Sequence, residues 1–139
     1  MFNQTCEYAV RAAIAIARHD AGQYVLAREL SRELDIPHQY LAKILQQLAK
    51  SKVLESSRGR LGGFRLARAA AKTRLLDIVA PFEDLRRTDQ CVMGQKVCSD
   101  ATACPMHDFW ATVRKRYHDE LEGKTLADFV NFENSRRSA

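Results

Sequence analysis

A mainly α-helical chain with one short β-hairpin is what this sequence of 139 residues predicts. Three observations carry that reading. Apolar residues recur at helical spacing through the first fifty residues. The period then changes over residues 53–68, where Gly and Arg crowd between two short strand-like runs. A long aromatic-rich stripe returns at helical spacing after residue 105. With 46% hydrophobic and 28% charged residues, the composition is ordinary for a globular chain long enough to bury a core unaided.

Residues 4–19, QTCEYAVRAAIAIARH, place Tyr8, Ala12, Ala15 and Ile16 on one face and Arg11 and Arg18 outside it. Ala-rich spacing of this kind predicts a helix, ended by Asp20, Ala21 and Gly22. Residues 25–34 repeat the pattern with Val25, Leu26, Leu30 and Leu34, a short second helix. Asp35, Ile36 and Pro37 break the chain, and Pro37 suits the first turn of a new helix, where a missing N–H costs nothing. From there Tyr40, Leu41, Ile44, Leu45 and Leu48 form an apolar stripe. Gln39, Ala42, Lys43, Gln46 and Lys50 form an opposite face free of acidic residues. Two helices joined by a tight turn, the second with such a face, predict a helix-turn-helix.

VLESSRGRLGGFRLAR (53–68) reads as a β-hairpin with a basic tip. An ordinary turn and a solvated helix face would each explain one feature alone. The order helix, helix, helix, basic hairpin predicts a winged helix-turn-helix that binds DNA. Residues 73–85, TRLLDIVAPFEDL, predict a further helix with Thr73 as its cap and Pro81 near its end. PMHDFWATVRKRYHDELEG predicts a long helix from Pro105, stopped by Gly123, with a seam of Met106, Phe109, Trp110, Val113, Tyr117 and Leu121. TLADFVNF (125–132) is a last short helix, followed by a polar tail. The expected division is a winged helix-turn-helix domain over 1–87, a cysteine-rich loop over 88–105, a dimerisation helix with the short last helix over 106–132, and a flexible tail over 133–139.

Charge supports a polyanionic partner for the first part. Residues 1–87 hold 15 Lys and Arg against 9 Asp and Glu, whereas residues 88–139 hold 7 against 8. The long helix carries large aromatics with little remaining chain to cover them, and readers of this size gain specificity from two half-sites; a homodimer built on that helix is expected. The first twenty residues carry Glu7, Arg11, Arg18 and Asp20, unlike a signal peptide, and no apolar run spans a bilayer. The expected location is cytoplasmic, with no membrane partner. No nucleophile–base pair, phosphate-binding glycine loop or paired acids point to an enzyme.

Residues 91–107, CVMGQKVCSDATACPMH, hold three cysteines and a histidine spaced Cys-x6-Cys-x5-Cys-x2-His. Cytosolic thiols stay reduced, which favours metal or redox chemistry over disulfides. No CxxC pair is present, which weakens a structural zinc site without excluding it. Thiolates spread over a longer loop suit an iron–sulfur cluster, in which histidine can replace one sulfur. Cys104 and His107 lie three apart, with Pro105 at the expected first helical position, so both side chains are expected to face one way. Cys6, in an Ala-rich helix, reads as a small core residue.

EYAVRAAIAIA, IPHQYLAKILQQLAKSKVLESSRGRLGGFRLAR, the cysteine loop, CPMHDFW and TLADF together resemble the Rrf-type winged-helix transcriptional regulators, the family of IscR, NsrR and RirA, over about residues 3–130. In motif the chain is most similar to the iron–sulfur cluster regulator IscR. The resemblance implies a homodimer on palindromic promoter DNA. It places Gln39, Tyr40, Ala42 and Lys43, with His38 beside them, on the reading helix, and Arg58 in the minor groove. A narrow A·T groove attracts arginine. Arg28, Lys52 and Arg60 are phosphate-contact candidates. Ala42 stands where IscR has an acidic selector, so the target sequence does not carry over. Cys91, Cys98, Cys104 and His107 match the cluster ligands, with a first gap one residue longer than IscR's. The histidine points to a 2Fe–2S cluster. NsrR and RirA hold 4Fe–4S clusters without it, and in some relatives an acidic residue, here Glu7 of the partner subunit, is the fourth ligand. The alternative is a cluster-free repressor of the same family sensing through thiols or a small ligand. An iron–sulfur electron carrier would leave the basic wing idle.

Overall fold

The helix Gln4–Arg18 (α1) is the hub of the structure, a computed structural model that describes residues 2–85 and 90–138. Its buried Ala9, Ala12, Ala13 and Ala15 present almost no side-chain bulk, so neighbouring elements approach its backbone closely. Asn3 caps it by accepting from the Cys6 N–H at 2.7 Å. Around it pack Ala27–Leu34 (α2), His38–Lys50 (α3), the hairpin of Leu54–Ser57 (β1) and Gly63–Leu66 (β2), Leu75–Val79 (α4) and Leu126–Ser138 (α6). His107–Gly123 (α5) packs on α4.

Leu41, Ile44, Leu45 and Leu48 of α3 are buried against Leu30, Ile36 and α1. Burial of each such side chain contributes about 1.5–3 kcal/mol. The turn before α3 uses Asp35 in the left-handed region (φ 55°). Pro37 sits one residue earlier than expected, at the cap, where its carbonyl accepts the Leu41 N–H at 2.9 Å.

Sequence spacing places Val25 in the second helix. It instead forms a one-residue antiparallel bridge with Phe64, exchanging N–H···O bonds of 2.8 and 2.9 Å. The hairpin, registered Leu54↔Leu66 through Ser57↔Gly63, thus gains a third chain segment at its root. Two of the three wing glycines are required by close backbone approach. A Cβ on Gly63 (φ +128°) would lie 2.3 Å from the Val25 carbonyl oxygen, and one on Gly62 would lie 2.3 Å from that of Ser57.

The helix expected over 73–85 is much shorter. Thr73 is not its cap: it is fully buried, and its hydroxyl donates to the Ala69 carbonyl at 3.1 Å. Asp77 does the capping, accepting from the Arg74 N–H at 2.9 Å and from its guanidinium at 3.1 Å. Burial opposes ionisation of Asp77. Hydrogen bonds from Arg74, with the charges of Arg74 and Arg68, nonetheless hold its carboxyl below the ordinary value. Two bonds of 2.8 Å, Leu75 N–H to Lys124 and Leu126 N–H to Thr73, clip the end of α5 and the start of α6 onto this corner. Cys6, Leu75, Val79 and Leu121 close a second, smaller core there.

The stretch expected to be a tail continues α6 to Ser138. Glu133 holds Arg136 at 2.8 Å, and Asn134 accepts from Arg18 of α1 at 3.1 Å. The boundary expected at residues 87/88 lies outside the described residues. Among the described residues, no helix is long and apolar enough to cross a membrane.

Candidate DNA-binding surface and cysteine loop

The exposed side of α3 presents His38, Gln39 and Lys43, with Ala42 half-buried beside them. Tyr40 is 37% exposed and doubly anchored. Its ring meets Tyr8 edge-on with centroids 5.7 Å apart, and its hydroxyl bonds Thr5. The start of α3 is thereby fixed on α1. Lys52, in the left-handed region at φ 64°, follows α3 into the hairpin, whose exposed tip carries Arg58 and Arg60. Arg28 is exposed on α2.

Among the described residues, Arg28, Lys43, Lys52, Arg58 and Arg60 make no ion pair. By contrast Arg65 is held by Glu55 at 3.0 Å, and Arg68 and Arg74 by Asp77 at 3.3 and 3.1 Å. The wing root is therefore braced by internal pairs, while the cations of the tip and reading helix keep their charge for a polyanion. Leu61 stands 90% exposed at the tip, between Arg60 and Gly62.

The cysteine loop joins this domain to α5. Cys91 opens a turn closed by the Gly94 N–H on its carbonyl at 3.0 Å, with Gly94 at φ +85°. Its buried sulfur accepts from the Met93 N–H at 3.4 Å and the Gln95 amide at 3.6 Å. Backbone hydrogen bonds from Gln95 and Met93, aided by the nearby Cys104 thiol, hold Cys91 below the ordinary thiol value against the opposing effect of burial. Cys98 and Cys104 are half-buried, and all four cysteines are free thiols. The Cys98 sulfur lies 3.4 Å from Nδ1 of His107, whose ring is buried and whose Nε2 lies 2.9 Å from Oδ1 of Asp100.

The four predicted donors thus fall into two pairs, Cys91 with Cys104 and Cys98 with His107. Among the described residues, no group of three or more ligating side chains converges. The expectation that Cys104 and His107 share a helix face is not met. α5 begins at His107 with Met106 as its cap, so Pro105 and Cys104 precede it in a turn closed by the His107 N–H on the Cys104 carbonyl at 2.9 Å. Glu7 is exposed in the first turn of α1. The donor set, three thiols and one imidazole within a short loop, fits the soft-ligand chemistry of an iron–sulfur group. Asp100 carries no signal in the sequence, since a lone loop carboxylate has no spacing signature.

On α5 the predicted seam divides. Leu121 is buried and Tyr117 packs beside it in the second core, whereas Phe109, Met106 and Val113 are 62%, 42% and 37% exposed. Trp110 is tied back to the loop, its indole N–H donating to the Gln90 carbonyl at 3.0 Å.

Fold and surface together define a winged-helix DNA-binding protein of the transcription-regulator class. The Rrf2 family model, described as an iron-dependent transcriptional regulator, matches residues 2–132. A chain of Aquifex aeolicus, provisionally named an HTH-type transcriptional regulator, is 30% identical over 96% of this chain and 93% of its own. Two solved structures share the fold. CymR, the global cysteine regulator of B. subtilis, has a TM-score of 0.79 at 17% identity, covering 95% of this chain and 97% of its own. T. potens IscR has a TM-score of 0.78 at 23% identity, covering 100% and 92%. This chain belongs to the Rrf2 family of transcriptional regulators, whose members are regulators and not enzymes and whose partner is DNA.

Proposed function

We propose that this protein is a homodimeric regulator of palindromic promoter sites whose DNA affinity is set by an iron–sulfur cluster on Cys91, Cys98, Cys104 and His107. The observation that carries it is the gathering of three free thiols and one imidazole within residues 91–107, between the basic domain and the body of α5. A bound cluster would supply redox and nitric-oxide reactivity that the side chains lack. The histidine favours a 2Fe–2S group, with 4Fe–4S, or Glu7 of the partner subunit as fourth ligand, the alternatives.

The residues then divide the work. His38, Gln39, Ala42 and Lys43 face bases in the major groove, with Tyr40 beside them holding the start of the reading helix on Tyr8 and Thr5. Arg58 enters the minor groove, and Arg28, Lys52 and Arg60 hold phosphates. Phe109, Met106 and Val113 meet their copies across the dimer axis. Cys91, Cys98, Cys104 and His107, if joined through a bound cluster, would fix the path of the loop into α5, and hence the spacing of the two reading helices.

A cluster-free sensor is the second reading. It is favoured by the two-by-two arrangement of donors and by a cleft of about 510 Å³ at the wing root, lined by residues including His19, Asp20, Arg65 and Arg68. Iron and acid-labile sulfide counts with a visible spectrum, on anaerobically purified protein, separate the two. Equal iron and sulfide with absorption between about 320 and 600 nm support the cluster reading. A colourless protein without sulfide after reconstitution leaves the sensor of thiols or ligands.

A further inference from the structure

We propose that Asp100 is the positioning residue of His107: by holding Nε2–H it turns Nδ1 toward Cys98 and makes Nδ1 the nitrogen offered to the cluster. This rests on the cluster reading above and deepens it by assigning the ligating atom and its outer partner.

An ionised carboxylate only accepts, so the 2.9 Å contact between Asp100 Oδ1 and His107 Nε2 requires the hydrogen on Nε2. In a neutral ring Nδ1 is then bare, and it is the atom 3.4 Å from the Cys98 sulfur, whose S–H donates to it. The ring is buried, whereas Asp100 is fully exposed at the start of the 3-10 turn Asp100–Thr102. That turn is itself fixed. Ser99 and Thr102 hydroxyls meet at 3.1 Å, and the Gln95 amide, whose nitrogen also reaches the Cys91 sulfur, donates to the Thr102 carbonyl at 2.9 Å. Asp100 therefore sits on a scaffold built between two candidate ligands, and the orientation of His107 is preset before anything binds. A ligating histidine ordinarily gives its other N–H to a carboxylate or carbonyl, and this is the arrangement found here.

The test uses the full chain labelled with 15N-histidine. In cluster-free protein at about pH 8, long-range 1H–15N spectra should show His107 as the Nε2–H tautomer. Asp100→Ala should shift it to a mixture, and Asp100→Asn, which keeps an acceptor oxygen, should restore it. A wild-type Nδ1–H tautomer, or an unchanged Asp100→Ala, would overturn the proposal. After anaerobic loading with iron and sulfide, pulsed EPR of the reduced protein should show strong 15N coupling from Nδ1, and Asp100→Ala should lose the cluster about tenfold faster in air. Coupling through Nε2 would overturn the assignment. A chain that takes up no iron would sink the cluster half, while the tautomer still decides whether Asp100 orients the ring.

Discussion

Four cysteines in one chain occupy two kinds of environment, and their chemistry follows from it. Cys6 is completely buried among Leu75, Val79 and Leu121, and burial, with the charge of Glu83 adding, pushes its thiol up to about 12. Native Cys6 should therefore resist iodoacetamide while half-buried Cys98 and Cys104 react, with mass spectrometry locating the label. A native thiol that stays protonated while the unfolded one ionises at 9.0 makes stability fall as pH rises from 9.0 toward 12. Cys6→Ala should lose less stability over that window in denaturant titrations; an identical loss would place the alkaline sensitivity elsewhere. The role of Cys6 was legible because an Ala-rich helical face predicts burial. Type and spacing mark the three loop thiols and His107 as candidates in one segment. Their pairing was not legible, since spacing on a helix assumed that α5 starts at Pro105, two residues before it does.

At the scale of elements, long periodic stripes were read correctly and short contacts between distant segments were not. The α1 and α3 stripes fall mostly on the buried faces because each depends only on local period; Tyr8 and Tyr40 lie at their margins, and α1 also buries Ala9 and Ala13 beside its stripe. Val25 fitted a helical pattern yet pairs with Phe64, a tertiary bridge that no local period encodes. α4 was read too long because its apolar residues continue past the point where the chain turns at Pro81. α6 was read too short because its last turns are polar, and its hold on α1 through Asn134 is a long-range contact. The Val25 bridge can be tested at Gly63. Gly63→Ala forces a Cβ against the Val25 carbonyl at a positive φ and should cost about 2 kcal/mol or more. Gly22→Ala, with nothing within 4 Å of the added Cβ, carries only the conformational part. Thermal melts of the pair should rank Gly63→Ala well below Gly22→Ala; equal melting would show the bridge contributes little.

For the whole molecule, the layout places a basic reading surface at one end of the chain's order and an open apolar face at the other, with the thiol loop between them. Phe109, Met106 and Val113 leave an apolar patch that a single copy does not cover. If the proposed homodimer forms through this patch, Phe109→Glu should leave the fold of one chain intact, since the ring is 62% exposed, and give a monomer by light scattering where the native chain gives a dimer, with promoter affinity lost because two half-sites are no longer met together. A variant that remains dimeric would move the interface off this face.

The central claim is that the loop governs DNA binding, and one titration tests it most directly. Affinity for the same palindromic duplex is measured anaerobically, at one fixed salt concentration, for the full chain before and after loading with iron and sulfide. The account predicts a change of about tenfold or more, some 1.4 kcal/mol of coupling, which disappears when Cys91, Cys98 and Cys104 are all replaced by serine. Equal affinity of the loaded and unloaded protein would contradict it.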